Sequence, residues 1–208
     1  MLTQLYQNTR PYLYHLTDSL NLLHIRETKR LYPAATLMES AGRKDLLRVR
    51  RRAHERVTIG KTVIMVRDQA PLHRGAIGFE DGHTFDEFVE SLNRRVFFWP
   101  GTDEGPITYG IRHFERYENE NPVLLRVSFQ SLLTANPSVE PYYCGYNSGS
   151  PRCSYGNRSP RGGRTFLRAD EFAGTPSKVV EVTFKNPLIL PPDVQRARHP
   201  LGPWRALY

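Results

Sequence analysis

Four features of this 208-residue chain hold side chains able to do chemistry. The first is Tyr14-His15-Leu16-Thr17, with Asn21-Leu22 shortly after, at a strand-to-helix junction. The second is the aromatic run Val96-Phe97-Phe98-Trp99, followed after a short loop by Thr108-Tyr109-Gly110. The third is a long segment, 137–168, with five Arg against one Glu and four Tyr. Arg interleaved with Tyr suits phosphate neutralisation plus stacking on bases. The fourth is Glu181, flanked by Val180 and Val182 in an otherwise apolar strand. In a strand of period two it shares a face with Val179 and Thr183, so the carboxylate sits either at an exposed edge or where it is used. Structural roles compete at each place: a His at a strand end, an aromatic strand in a core, an Arg/Tyr surface insertion.

Several chemistries lack their motifs. No GxGxxG follows a strand, and GxxxxGK[ST], HExxH, GxSxG and an EF-hand loop are missing. The histidines at 15, 24, 54, 73, 83, 113 and 199 do not pair at metal-ligand spacing, so no metal is expected. Cys144 and Cys153 form neither CxxC nor a zinc pattern; a reduced, cytoplasmic setting is the simple reading, with a disulfide between them left open. No apolar run is long enough to span a bilayer, and no secretory leader is visible at the N-terminus. The net charge is +8, and 24 of the 29 cations are Arg, which favours a polyanionic partner or a nucleotide over a neutral metabolite.

These residues need elements to position them. Residues 12–15 read as a strand, and Asp18–Thr28 as a helix capped by Asp18 or Ser19. Residues 34–56 read as helical with a possible break at Gly42; their end, RKDLLRVRRRAHER, carries seven cations against two acids and suits a solvated face or a phosphate channel. Residues 61–67 form the clearest strand. Thr84 and Glu87 mark a capping box for a helix over 84–93. Residues 95–99 read as a strand ended by Pro100-Gly101, Ile107–Tyr117 as a helix, and 123–128 and 178–184 as strands. Strands and short helices alternate without regular βαβ units. The expectation is one α+β domain over 1–208, with a split or mixed sheet and a long basic Tyr/Arg loop at 137–168.

In order and spacing, YHLTDSLNLLHI, RVFFWPG…PITYG, RGGRTFLR and KVVEVTFKNPLILP resemble the successive motifs of ADP-ribosyltransferases, particularly the DarT-type toxins that modify DNA bases. The resemblance covers about Tyr12 to Pro191. It implies a split mixed β-sheet core, and NAD as the substrate whose nicotinamide–ribose bond breaks through an oxocarbenium-like centre. By that resemblance His15 holds the adenosine ribose with Thr17 and Asn21 nearby, Phe98 and Tyr109 wall the nicotinamide ring, and Glu181 stabilises the cationic centre and takes the acceptor's proton. An Arg at the pyrophosphate is also implied, for which Arg67 is preferred over Arg51. The sequence departs from the pattern in having Phe97-Phe98 where many relatives have Tyr, an unusually long loop before Glu181, and Arg164-Thr165-Phe166 in place of Ser-Thr-Ser.

Under this reading the 137–168 loop recognises the target. Tyr142, Tyr143, Tyr146 and Tyr155 are available for stacking on an exposed base, and Arg152, Arg158, Arg161 and Arg164 for flanking phosphates. The expected function is mono-ADP-ribosyl transfer to a base in single-stranded DNA or RNA. A bacterial toxin–antitoxin or phage-defence setting, with a cognate antitoxin as possible partner, is implied by resemblance alone. Alternatives are transfer to protein, tRNA or a small molecule, and a nucleic-acid-binding module without catalysis.

Overall fold

The computed structural model describes Thr3 and residues 8–208. Strand β1 (Tyr12–Asp18) leads through a 3-10 turn (Ser19–Asn21) into helix α1 (Leu22–Thr28) and the short β2 (Arg30–Leu31). Helix α2 (Ala34–Ser40) and a second 3-10 turn (Lys44–Leu46) precede the hairpin of β3 (Glu55–Ile59) and β4 (Thr62–Val66). Then come β5 (Ile77–Phe79), α3 (Phe85–Asn93), β6 (Val96–Thr102), β7 (Gly105–Pro106), α4 (Thr108–Tyr117), β8 (Pro122–Ser128) and α5 (Phe129–Ala135). The rest holds β9 (Tyr142–Cys144), β10 (Ser159–Arg161), β11 (Glu181–Phe184), β12 (Leu188–Ile189), β13 (Gln195–Ala197) and β14 (Arg205–Ala206). The architecture is α+β. Among the described residues no helix is long and apolar enough to cross a membrane.

The main sheet has the order β14-β13-β8-β1-β6-β11-β9, with β7 also paired to β6. All its pairings are antiparallel, so the expectation of a mixed main sheet is corrected; the parallel pair is β10 with β5, in a small separate sheet. Strand β6 serves two neighbours along different halves. Trp99–Gly101 pair with β1, and Val96–Phe98 pair with β11. β1 and β6 have therefore parted at His15, and the imidazole fills the gap by bonding the Phe97 carbonyl through Nδ1 at 2.9 Å. Alternation sends Phe98, Val182 and Phe184 into the largest core cluster. It leaves Phe97, Glu181 and Thr183 on the opposite face.

Several expected boundaries shift for physical reasons. β1 runs three residues past 15, to Asp18, whose carboxylate accepts from the Leu20 N–H at 2.8 Å and starts the 3-10 turn. β6 does not stop at Pro100-Gly101. Proline lacks only the donor, and the Pro100 carbonyl still accepts from the Ile107 N–H at 2.9 Å. Gly101 is required there, because a Cβ would lie 2.1 Å from the Gly105 carbonyl oxygen. The helix expected over 34–56 ends at Ser40, with Gly42 at φ +72°. Beyond the Lys44–Leu46 turn the Arg-rich stretch is irregular, because Arg50 and Arg51 turn inward to backbone carbonyls instead of lining a helix face. The segment 137–168 is not wholly loop either: it holds β9, which forms one edge of the main sheet, and β10. Of the strand expected over 178–184, Lys178 ends a 3-10 turn (Pro176–Lys178) and only Glu181–Phe184 form the strand.

Candidate functional site

A cleft of about 270 Å³ lies between the parted strands, the end of β4, helix α4 and the loop 147–150. His15, Thr17, Arg67, Phe97, Trp99 and Glu181 all line it. The early imidazole and the late carboxylate, 166 positions apart in sequence, thus share one groove because β1 and β11 flank β6.

Glu181 is 5% exposed. The Ser148 N–H donates to both of its oxygens at 3.2 Å. Burial pushes the carboxyl up to about 7, against the pull of the Ser148 N–H and of the Arg161 charge. Near neutral pH the group therefore exchanges a proton readily, as a general base requires. The loop holding Ser148 is fixed from behind. Arg161 donates to the carbonyls of Ser148 at 3.3 Å and Asn147 at 3.1 Å, and lies 4.0 Å over the Tyr146 ring.

His15 is held neutral: burial lowers it to about 4, opposed by the bond to the Phe97 carbonyl and aided by the Arg67 charge. A carbonyl only accepts, so the proton sits on Nδ1 and Nε2 remains an acceptor suited to a ligand hydroxyl. Arg67 lies 4.5 Å over the Tyr117 ring, and one Nη donates to the Thr17 carbonyl at 3.3 Å. Its Nε and other Nη are buried without partners among the described residues, as are Trp99 Nε1 and His24 Nε2. All four atoms belong to residues of the cleft wall. Arg67 and Trp99 bring unpaired donors to the cleft, and buried unpaired donors are costly, so these atoms suit acceptors of a ligand. Tyr117 is fixed in turn: its hydroxyl donates to the Asp68 carboxylate at 3.0 Å, and the Asp68 backbone N–H donates to His54 Nδ1 at 2.9 Å.

The structure corrects several expected roles. Phe98 is 1% exposed, packed on Phe184 in the core; Phe97 is the residue at the cleft. A one-residue register decides between them, and sequence alone does not reveal it. Tyr109 is 45% exposed at the start of α4 and outside the cleft wall, where Tyr117 and His113 from the buried face of that helix take its place. Asn21 lines the cleft, but its amide is occupied. It donates to the Met65 carbonyl at 2.9 Å and to Thr17 Oγ1 at 3.1 Å, and accepts from the Met65 N–H at 2.8 Å. It positions β4 and so Arg67. Arg51 likewise is spent internally, on the Arg67 carbonyl at 2.9 Å and Asn93 Oδ1 at 2.8 Å, whereas Arg67 keeps unpaired donors at the cleft.

The target loop also divides. Arg161 is 3% exposed and supports Ser148, so it is unavailable to a phosphate, and Tyr146 lies beneath it. Tyr143 is fully buried. Arg152, Arg158 and Arg164 are exposed, without ion pairs among the described residues. Tyr155 is wholly exposed at a hairpin tip bridged between Ser154 and Asn157, with Tyr155 at φ 49° and Gly156 at φ 81°. Both cysteines are free thiols. Sequence reasoning missed Ser148, Trp99 and Tyr117. The α4 spacing Gly110–Phe114–Tyr117 signalled a buried face, whereas nothing signalled that Ser148 folds onto Glu181.

The model of a family described as "Family of unknown function (DUF7002)" matches residues 11–192, and the chain belongs to that family. The matched span contains every residue of the cleft wall. No curated protein and no solved structure matches the chain.

Proposed function

We propose that this chain is an NAD-dependent mono-ADP-ribosyltransferase whose acceptor is a base in single-stranded nucleic acid. One observation carries the reading: a buried carboxyl poised near neutrality (Glu181), a neutral imidazole (His15) and an arginine with unpaired donors (Arg67) converge on one cleft. Those groups complement the reacting ribose, a ribose hydroxyl pair and a diphosphate of a dinucleotide. Phe97 and Trp99 supply apolar walls for its rings.

In the reaction, the bond between the nicotinamide nitrogen and the ribose carbon breaks, and nicotinamide leaves neutral with the bonding pair. Positive charge develops on the ribose carbon, beside the Glu181 carboxylate. An acceptor nitrogen bonds that carbon and its proton passes to Glu181. The cationic nicotinamide ring favours the ionised carboxylate on binding, which offsets the rise caused by burial. Arg152, Arg158, Arg164 and the projecting Tyr155 offer phosphate and base contacts outside the cleft, which supports a nucleic-acid acceptor. A toxin or phage-defence setting, with an antitoxin partner, follows from the motif resemblance only.

The test is incubation of the protein with NAD labelled on its adenylate, against single-stranded DNA, RNA and bulk protein in parallel. Label is expected on an oligonucleotide and lost in Glu181→Gln with the fold intact by circular dichroism. Full transfer by that variant overturns the assigned role. A binding module without catalysis differs at once, since NAD would then leave the melting temperature unchanged.

A further inference from the structure

The face of the sheet that presents Glu181 continues outward along β11 to Thr183 and then Lys185. Thr183 stands opposite Tyr142 of β9 and Phe97 of β6. Over the Tyr142 ring lie two cations, Arg95 at 4.8 Å and Lys185 at 4.7 Å. Arg95 also lies 4.2 Å over Phe166 and donates through one Nη to Thr183 Oγ1 at 3.2 Å. Neither cation has a carboxylate partner among the described residues. Two like charges share a ring while Arg94, next in sequence to Arg95, takes both Glu90 and Glu39. Arg95 lies over two aromatic rings, lines the cleft, and among the described residues its one side-chain hydrogen bond is that to Thr183. Lys185 is exposed.

We propose that Arg95 and Lys185 form a phosphate subsite on the acceptor side of Glu181, holding the backbone of a single-stranded nucleic acid whose neighbouring base enters the cleft. This rests on the transferase reading for the identity of the acceptor, but the anion site stands on its own geometry. Lys185 lies four positions beyond Glu181, just past the end of β11, roughly 13 Å away at strand rise. Both cations lie over Tyr142 of β9, at the edge of the sheet beyond β11, whereas Arg67 follows β4. Tyr142, expected from sequence to stack on a base, instead serves as the platform on which both cations rest.

The test measures binding of fluorescein-labelled single-stranded DNA and RNA oligonucleotides by anisotropy at several salt concentrations, without NAD. Each phosphate contact on a single strand contributes a slope of about −0.7 in log K against log salt. Lys185→Gln is expected to weaken binding about threefold to tenfold at low salt and make the slope shallower by about 0.7. Arg95→Gln should do the same or more, whereas Lys61→Gln, an exposed lysine on the β3–β4 turn, should leave both unchanged. Because Arg95 is packed, the exposed Lys185 variant keeps the proposal testable if Arg95→Gln does not fold. An unaltered slope for Lys185→Gln, or absence of oligonucleotide binding by the parent protein, overturns the subsite. Transfer of ADP-ribose to protein without oligonucleotide binding sinks the subsite and leaves the transferase standing. A slope change in a protein that NAD does not stabilise supports the subsite and removes the transferase.

Discussion

Arg67 is the residue whose environment most clearly asks for a ligand. Burial pulls its guanidinium below the ordinary arginine range, with the Tyr117 ring and the acids around it opposing, and two of its donors go unpaired. A buried cation without full pairing destabilises the empty protein, so an apolar replacement of similar length relieves that cost. Arg67→Met is expected to raise the melting temperature of the ligand-free protein and to abolish stabilisation by ADP-ribose or inorganic pyrophosphate. Arg67→Lys keeps the charge but loses the planar fork and the stack on Tyr117, and should bind ADP-ribose at least tenfold more weakly by calorimetric titration. ADP-ribose affinity equal to that of the parent in both variants would show that no anion meets this side chain. An arginine at a diphosphate was implied by the motif resemblance, which left both Arg67 and Arg51 as candidates. Its rival Arg51 was separable only in space, because the choice depends on which guanidinium bonds a backbone carbonyl and an asparagine.

Elements bring these residues together through a few polar ties. Asn21 joins the start of α1 to β4 by bonding both backbone groups of Met65, two residues before Arg67. Asn21→Ala strips partners from a peptide group beside the cleft, and each unsatisfied buried group costs about 1–3 kcal/mol. A total loss of about 2–4 kcal/mol in urea unfolding is expected, together with weaker ADP-ribose binding despite an intact Arg67; a loss under about 1 kcal/mol would show these bonds to be dispensable. The same scale explains what was readable. The α3 capping box of Thr84 and Glu87 and the β-branched β4 carry local signals that agree with their tertiary roles. The Arg-rich stretch carries a local signal that loses. Its apolar spacing suits a helix, but Val49 ends 55% exposed while Arg51 is buried to brace Arg67 and Asn93. β9 escaped notice because its three residues lie among Gly, Pro and Ser, yet it pairs directly with the strand that carries Glu181.

For the whole molecule, the site has a stability cost that depends on pH. His15 is lowered by burial to about 4, and His113 by burial and the neighbouring arginines to about 3, while burial raises Glu181 to about 7. Between about pH 5 and 6 the unfolded chain carries protons on both histidines and none on the glutamate. The folded chain carries none on the histidines and one on Glu181. The unfolded state thus binds one more proton across these groups, and stability rises with pH by about 1.4 kcal/mol per unit. Above about pH 7 the three contributions level off, since both states then hold the same protons. Glu181→Gln removes the proton held by the fold, so the difference becomes two and the slope doubles. His113→Asn removes one from the unfolded side, so the difference vanishes and the profile flattens. Urea midpoints taken at closely spaced pH values across this window measure all three slopes. Parallel profiles for the parent and Glu181→Gln would mean that this carboxyl is ionised in the fold at pH 5, and a general base poised near neutrality would then be missing from the cleft.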